Sequence, residues 1–485
     1  MKKEILRMEN VITENPVNIN LDNFNLHMFQ GEIMGLIELD ALGKDVMIGL
    51  ICKNSSIKYG RVYYDNQLVN SYRHSSGSEN KVYVLREASQ LINDLSVVDN
   101  VFVLRKGFKK YVVNPRVLDI QLQRLMDEIG VNVNPREICM NLSEYERCVV
   151  ELLRAMIRGV KLIIVNHISN VLSASDLEAF KQLILKLVQK DYSILYIGYH
   201  HEDVFSVCDR VALMQEGKVI KVFEKDERKD KNILPFTISF EETTISNTQS
   251  TIKKKIIFKN ISTGNLKDLS FEIMKGECVV LYDRNNKVPN DILQCLSGES
   301  ELKDGTIEVE EHILFSKNQK KIQQSDITMI GENATRSMIF RDMSYIDNLC
   351  FLIGHKTNSS RISSKVKRSI QKEFYSELGD DLYKSNIRGL EKKSLYNLIY
   401  YRIYLLNPQI VFIAQPFSDA DMYVRRHIIE LIRTLKRKGI AVVILAVSIS
   451  DSLYVADKLI LIENGTKKQE YLPESFSMLH STYEF

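Results

Sequence analysis

An internal repeat limits what this chain can fold into more than any bulk property does. Gly31-Glu32 closes the amphipathic stretch FNLHMFQGEIMGLI, and 245 positions later Gly276-Glu277 closes LSFEIMKGECVVLY in the same way. Near the far end of each half, Asp209 in CDRVALM runs on to Glu216-Gly217; 248 positions later, Asp457 in ADKLILI runs on to Asn464-Gly465. Two anchors at a nearly constant offset imply a duplicated domain of roughly 225–240 residues, within the usual domain range. The polar, charged stretch between the copies reads as a linker, with a short strand expected around 236–240. The expected boundaries are therefore 1–223 for the first domain, 224–252 for the linker and 253–485 for the second domain.

Each half alternates short apolar runs with helical patterns. Continuous β-branched runs at 160–165 (VKLIIV), 193–197, 410–413 and 441–445 predict buried strands of a parallel sheet covered on both faces. Helices are predicted over 144–158, 174–190, 393–406 and 421–438. Strand–helix alternation implies a right-handed α/β core, while the first fifty or so residues of each half read as antiparallel. A hydrophobic content of 45% and a charged content of 26% suit a protein with a sizeable buried core. A net charge of +3 lacks the basic excess of a nucleic-acid-binding surface, so no nucleic-acid partner is expected. Seven cysteines without a CxxC pair read as reduced thiols of a cytosolic protein. The start MKKEILRMEN has no signal-peptide pattern, and no apolar run approaches the ~20 residues that cross a bilayer, so any membrane role is expected to be peripheral.

The order of elements, with NDLSVVDNVFVLR, MNLSEYERCVVELLRAMIRGVKLIIVNHIS and ILYIGYHHEDVFSVCDRVALMQEGKVI in the first half, resembles the ATP-binding-cassette family. ITMIGENATRSMIFRDMSYIDNL and LLNPQIVFIAQPFSDAD carry the resemblance in the second. It covers nearly the whole chain and is strongest to the tandem ATPase subunits of bacterial carbohydrate importers of the ribose and galactoside type. The fold it implies is two P-loop cassettes in tandem. Each would have a parallel-sheet core, an antiparallel β subdomain and a helical subdomain.

Against the family's motifs, this sequence has lost most of what touches nucleotide. A phosphate loop needs glycines for close backbone approach, a lysine for charge and a hydroxyl for Mg²⁺. The first copy keeps Gly43 and Lys44, but Glu38 stands at the first glycine and Asp45 at the hydroxyl position. Lys44 reads as a phosphate ligand, as a relic of one, or as a solvated lysine at a helix start. In the second copy, Asp283 begins a loop without glycine, and Pro289 stands where the lysine is expected. The family's metal strand ends in Asp-Glu; here it ends in Asn166-His167 and in Ala414-Gln415. His167 reads as a satisfied polar residue or as a base. In the signature loop only Ser143 survives, and with Glu146 it reads equally well as a capping box. Glu87 aligns with the glutamine that senses Mg²⁺, and Tyr199 and Val447 align with the switch histidine. Glu332 and Asp421 keep family-like identities. The aromatic that stacks on adenine is missing near Asn15. His200-His201-Glu202-Asp203 is too contiguous to converge on one metal ion, and no metal site is expected.

What the resemblance implies is a cassette subunit of a carbohydrate importer. It would lie in the cytoplasm at the inner face of the plasma membrane, bound to permease subunits with or without an intact ATPase paralogue, in a regulatory or scaffolding role. ATP and Mg²⁺ would bind weakly if at all. The expected nucleotide contacts are Gly43, Lys44, Asp45, Glu87 and Ser143. Hydrolysis would be very slow or absent, with Asn166, His167, Tyr199, Ala414 and Gln415 as the degenerate catalytic positions. A functional ATP-hydrolysing importer subunit and a soluble tandem-cassette signalling or ribosome-associated factor are the alternatives.

Overall fold

The structure is a computed structural model that describes residues 3–13, 21–40, 42–75, 77–102, 115–228, 230–233, 255–283, 287–309, 312–317, 326–353, 362–418, 420–446, 449 and 451–476. The chain divides into two compact units, Met1–Ser239 and Phe240–Glu484.

In the first unit, strands Phe24–Phe29, Glu4–Ile12, Tyr59–Tyr64, Gln67–Ser71 and His74–Ser75 form an antiparallel sheet in that order. Phe24–Phe29 alternates buried and exposed positions, as a strand with one wet face should. The second sheet runs Lys218–Phe223, Arg210–Gln215, Ile33–Glu38, Ser193–Gly198, Leu162–Asn166 and Val82–Arg86. Its central strands pair in parallel, and Ile33–Glu38 and Ser193–Gly198 are buried at every position. One face of the sheet packs against the antiparallel sheet and helix Lys44–Cys52, and helices Ala174–Val188 and His201–Val207 pack on the other, which is why these strands read as unbroken apolar runs. The helices Val97–Phe102, Pro115–Ile129 and Glu144–Ile157 pack together as the helical part of the unit.

The second unit repeats this plan. Its antiparallel sheet runs Leu269–Met274, Lys255–Ser262, Asp304–Val309 and His312–Ser316. Its parallel core, read in the same direction as the first, runs Thr466–Tyr471, Lys458–Glu463, Cys278–Asp283, Ala441–Ala446, Ile410–Ala414 and Ile327–Ile330. Strand for strand the order is the same, so the repeat seen in the sequence is a repeat of topology.

The repeated residues do the same work in both units. Asp209 Oδ2 accepts the Ile33 N–H at 2.9 Å, and Asp457 Oδ2 accepts that of Cys278 at 2.7 Å. Glu32 and Glu277 accept the Phe29 and Met274 N–H groups, closing the hairpin that feeds the central strand. Gly60 and Gly305 have φ of 98° and 99°, and a Cβ on either would come within 2.6 Å of two carbonyl oxygens of the neighbouring strand. Only glycine fits both the torsion and the approach.

The predicted helices form within about two residues of their expected ends, as Glu144–Ile157, Ala174–Val188, Lys392–Leu406 and Met422–Arg437. Past residue 224 the first unit continues with a 3₁₀ turn, Lys225–Glu227, and the short helix Asp230–Ile233, whose Ile233 is buried. The strand expected around 236–240 lies outside the described residues.

Candidate functional site

In an open parallel sheet, ligands bind beyond the carboxyl ends of the strands. In the first unit Ile37 pairs with Gly198, and Ile197 with Asn166. Glu38, Tyr199 and His167 therefore leave neighbouring strands side by side. Lys44 is the first residue of helix Lys44–Cys52, behind Gly43 at φ 84°. A side chain on Gly43 would press on Met214, Gly217 and Leu21 at 3.0 Å or less, so the loop needs this glycine to pack, whatever it binds.

The side chains of this loop turn onto one another. Glu38 Oε1 is 2.9 Å from His167 Nε2 and 3.5 Å from Lys44 Nζ, and Lys44 Nζ is 3.2 Å from His167 Nε2. The Glu38 side chain is fully buried, that of His167 is 4% exposed and that of Lys44 12%. An ammonium only donates. A proton on Nε2 lets His167 donate to Glu38 while Lys44 pairs with the same carboxylate. Nε2 without that proton would set a lone pair against an ionised oxygen. The Tyr199 ring lies over the imidazole, with centroids 3.9 Å apart and planes 18° apart. Lys44 is thus not the solvated lysine that one reading of the sequence expects. Glu38 Oε2, His167 Nδ1 and Asn166 Oδ1 are buried and have no hydrogen-bond partner among the described residues.

The other expected contacts do not join this cluster. Asp45 is exposed in the first turn of the helix. Asp40 accepts the Leu42 and Glu216 N–H groups, tying the loop to the turn after Arg210–Gln215. Glu87 accepts a 2.6 Å bond from Asn170. Ser143 forms the capping box with Glu146 and begins helix Glu144–Ile157. Asp203 of the HHED run pairs with Lys181 at 2.8 Å. Among the described residues, no group of three or more His, Cys, Asp or Glu is arranged to hold a metal ion.

The second unit fills the equivalent place by a different route. Asp283 is 245 positions beyond Glu38 and 2% exposed. Its Oδ2 accepts the backbone N–H groups of Lys287 at 2.8 Å and Val288 at 2.9 Å. These open helix Val288–Ser297, where Pro289 occupies the first turn. Ala414 ends its strand and Gln415 follows at φ 41°, as His167 follows Asn166 at φ 56°. Both donate a backbone bond to the next strand, Gln415 N–H to Leu445 O and His167 N–H to Ile197 O, each 3.0 Å. The turn has kept its shape while its chemistry changed. Asp421 caps helix Met422–Arg437 by accepting the Val424 N–H at 2.9 Å. Asn15 and Val447 lie outside the described residues.

These residues do not fit a nucleoside triphosphate with Mg²⁺. A polyphosphate entering the first loop meets a buried carboxylate with one oxygen unpartnered, and the lysine it needs is already engaged. Neither metal strand ends in a carboxylate. In the sequence Glu38 reads as a missing glycine and, with Asp45, as a carboxylate unfavourable to a polyphosphate, not as a partner of Lys44 and His167. That a carboxylate takes this place in both copies was the one available signal.

Comparison with known proteins supplies the context. The ABC transporter family model matches residues 21–167. Over 470 residues the chain is 22% identical to the galactose/methyl galactoside import ATP-binding protein MglA of Haemophilus influenzae, covering 95% of this chain and 93% of that protein. It is 21% identical over 486 residues to the ribose import ATP-binding protein RbsA of Clostridium perfringens, covering 95% and 94%. Among solved structures, RNase-L Inhibitor aligns with a TM-score of 0.61 at 14% identity over 98% of this chain and 93% of that one, a likeness of fold alone. Residues 21–167 thus match the ABC transporter family, the fold is that of tandem cassettes, and along its length the chain resembles ATP-binding subunits of carbohydrate importers. ABC ATPases generally bind ATP with Mg²⁺. No helix among the described residues is long and apolar enough to cross a membrane.

Proposed function

We propose that this protein is a degenerate cassette subunit of a carbohydrate importer. It binds membrane permease subunits from the cytoplasmic side, alone or beside an intact ATPase paralogue, and acts as a scaffold or regulator rather than as a motor. The observation that carries this reading is the pairing of Lys44 with the buried Glu38 carboxylate at 3.5 Å, an oxygen that His167 also meets at 2.9 Å. Phosphoryl transfer is catalysed by positioned charge: a free lysine, a metal-organising carboxylate and a residue that orients water. The first cassette holds its lysine in an internal cluster and offers Asn166 and His167 where the carboxylates belong; the second offers Ala414 and Gln415. Expected nucleotide contacts at Gly43, Lys44, Asp45, Glu87 and Ser143 are correspondingly weak. The unit boundaries 1–223 and 253–485 belong to the same proposal.

The test is phosphate release and Mg-ATP binding by the full chain, with Lys44→Ala as the control. The expected result is no release above background and no binding tighter than the millimolar range. Steady release that disappears in Lys44→Ala would establish the second reading, an ATP-hydrolysing importer subunit, which the names of the sequence relatives favour.

A further inference from the structure

Helix N-termini and the turns before them attract anions, because unsatisfied N–H groups and the helix dipole converge there. In a phosphate loop the ligand's oxygens satisfy those groups and the lysine. Each unit of this chain meets part of this set with a carboxylate of its own. In the first, Glu38 gives Oε1 to Lys44 and to His167, and keeps Oε2 buried without a partner among the described residues. In the second, where Pro289 stands in the first turn of the helix, Asp283 gives one oxygen to the backbone N–H groups of Lys287 and Val288, which open the helix. The residues differ, as do the donors they serve. The position in the repeat is the same, and so is the charge.

We infer that Glu38 and Asp283 are built-in substitutes for a nucleotide phosphate, and that the Glu38–Lys44–His167 cluster locks the first cradle against polyphosphate. The inference rests on reading that cradle as degenerate and adds the cause of its closure. Removing the ligand from a phosphate loop leaves a buried lysine and open N–H groups without partners, which is costly. An acidic residue at the strand end removes that cost in the absence of ligand. It also places a negative charge where a phosphate would have to enter. Tyr199, stacked on His167, holds the imidazole against the carboxylate and covers the cluster. The lock is therefore a property of the empty protein, and the lysine survives because the lock needs it.

The experiment measures binding of inorganic tripolyphosphate and of Mg-ATP by calorimetry to the full chain. Wild type is compared with Glu38→Gln, which keeps the shape and removes the charge, and with Glu38→Ala, which empties the place. Each variant is repeated with Lys44→Ala, and a melting curve establishes that each is folded. Wild type is expected to bind tripolyphosphate weakly. Both Glu38 variants should bind it about tenfold tighter or more, with Lys44→Ala removing the gain. Should Glu38→Ala fail to fold, Glu38→Gln decides. The lock is overturned if a folded Glu38 variant gains nothing, if the gain survives loss of Lys44, or if wild type already binds as tightly as the variants. Phosphate release by wild type would instead overturn the proposed function, so the two failures are distinguishable.

Discussion

Asp203 and Asp451 lie 248 positions apart and meet the same problem with different cations. Each is less than 10% exposed. Lys181 pairs with the first at 2.8 Å, and Arg425 with the second, also at 2.8 Å. In repeat register Arg425 corresponds to position 177, one helical turn before Lys181. The two helices thus reach the same carboxylate from adjacent turns of one face. Removing one member of a buried pair strands the other charge, so Asp203→Ala and Asp451→Ala should each cost about 3–5 kcal/mol. Urea unfolding of the full chain reads this as a lowered midpoint. Replacing Lys181 and Asp203 together by Met and Leu should cost far less, because no uncompensated charge remains. Asp283→Ala should cost about 1–2 kcal/mol, the usual loss for a helix-start acceptor, read as a lowered urea midpoint of the full chain.

Among elements, the short helices Val97–Phe102 and Tyr345–Cys350 show what duplication preserved. Asn348 Oδ1 accepts the Phe340 N–H while its Nδ2 donates to Phe340 O; Asn100 makes the same pair of bonds with Ile92. Both asparagines are buried. Ser96 and Ser344 open these helices by accepting the N–H groups of Asp99 and Asp347. Two of the phrases that carry the family resemblance, NDLSVVDNVFVLR and ITMIGENATRSMIFRDMSYIDNL, thus hold loop-to-helix fasteners. Ser143 belongs with them. Ser143→Ala should lower stability by ~1 kcal/mol through loss of the cap and leave tripolyphosphate binding unchanged in calorimetry. Helix Met422–Arg437 carries a titration of its own. His427 donates to Asn397 Oδ1 at 2.5 Å, and burial, with Lys393 nearby, lowers its pKa from 6.5 to about 4. Between those values the unfolded chain binds more protons than the folded one. The contribution of this group to stability is whole above 6.5 and is lost as the pH falls toward 4. His427→Gln should flatten that part of the unfolding-midpoint profile.

The whole molecule is two copies of one topology, with the same strand order in each parallel core. The seven cysteines are scattered through both copies and free, six of them buried. Burial pushes the Cys278 thiol up to about 12 and the Cys350 thiol up to about 11. Thiolate is the reactive form. Native-state alkylation at neutral pH should therefore be slow and should begin at half-buried Cys52, whose thiol burial also raises. The buried thiols should label together only on unfolding, which peptide mapping after a timed quench would show.

The sequence by itself determined the duplication, the parallel cores and the main helices. Each is written as a local pattern: an offset between repeated phrases, a β-branched run, an apolar face at helical spacing. It also determined the inventory of losses, since Asn166 and Ala414 cannot act as carboxylates wherever they lie. What became of the residues left behind was decided only by tertiary structure. Glu38 and His167 are 129 positions apart, and no local pattern records that parallel register brings their strand ends together. Sequence could offer Lys44 as a ligand or as a solvated side chain. The fold gave it a third state, paired inside the protein, because a buried charge takes the nearest partner that removes its desolvation cost.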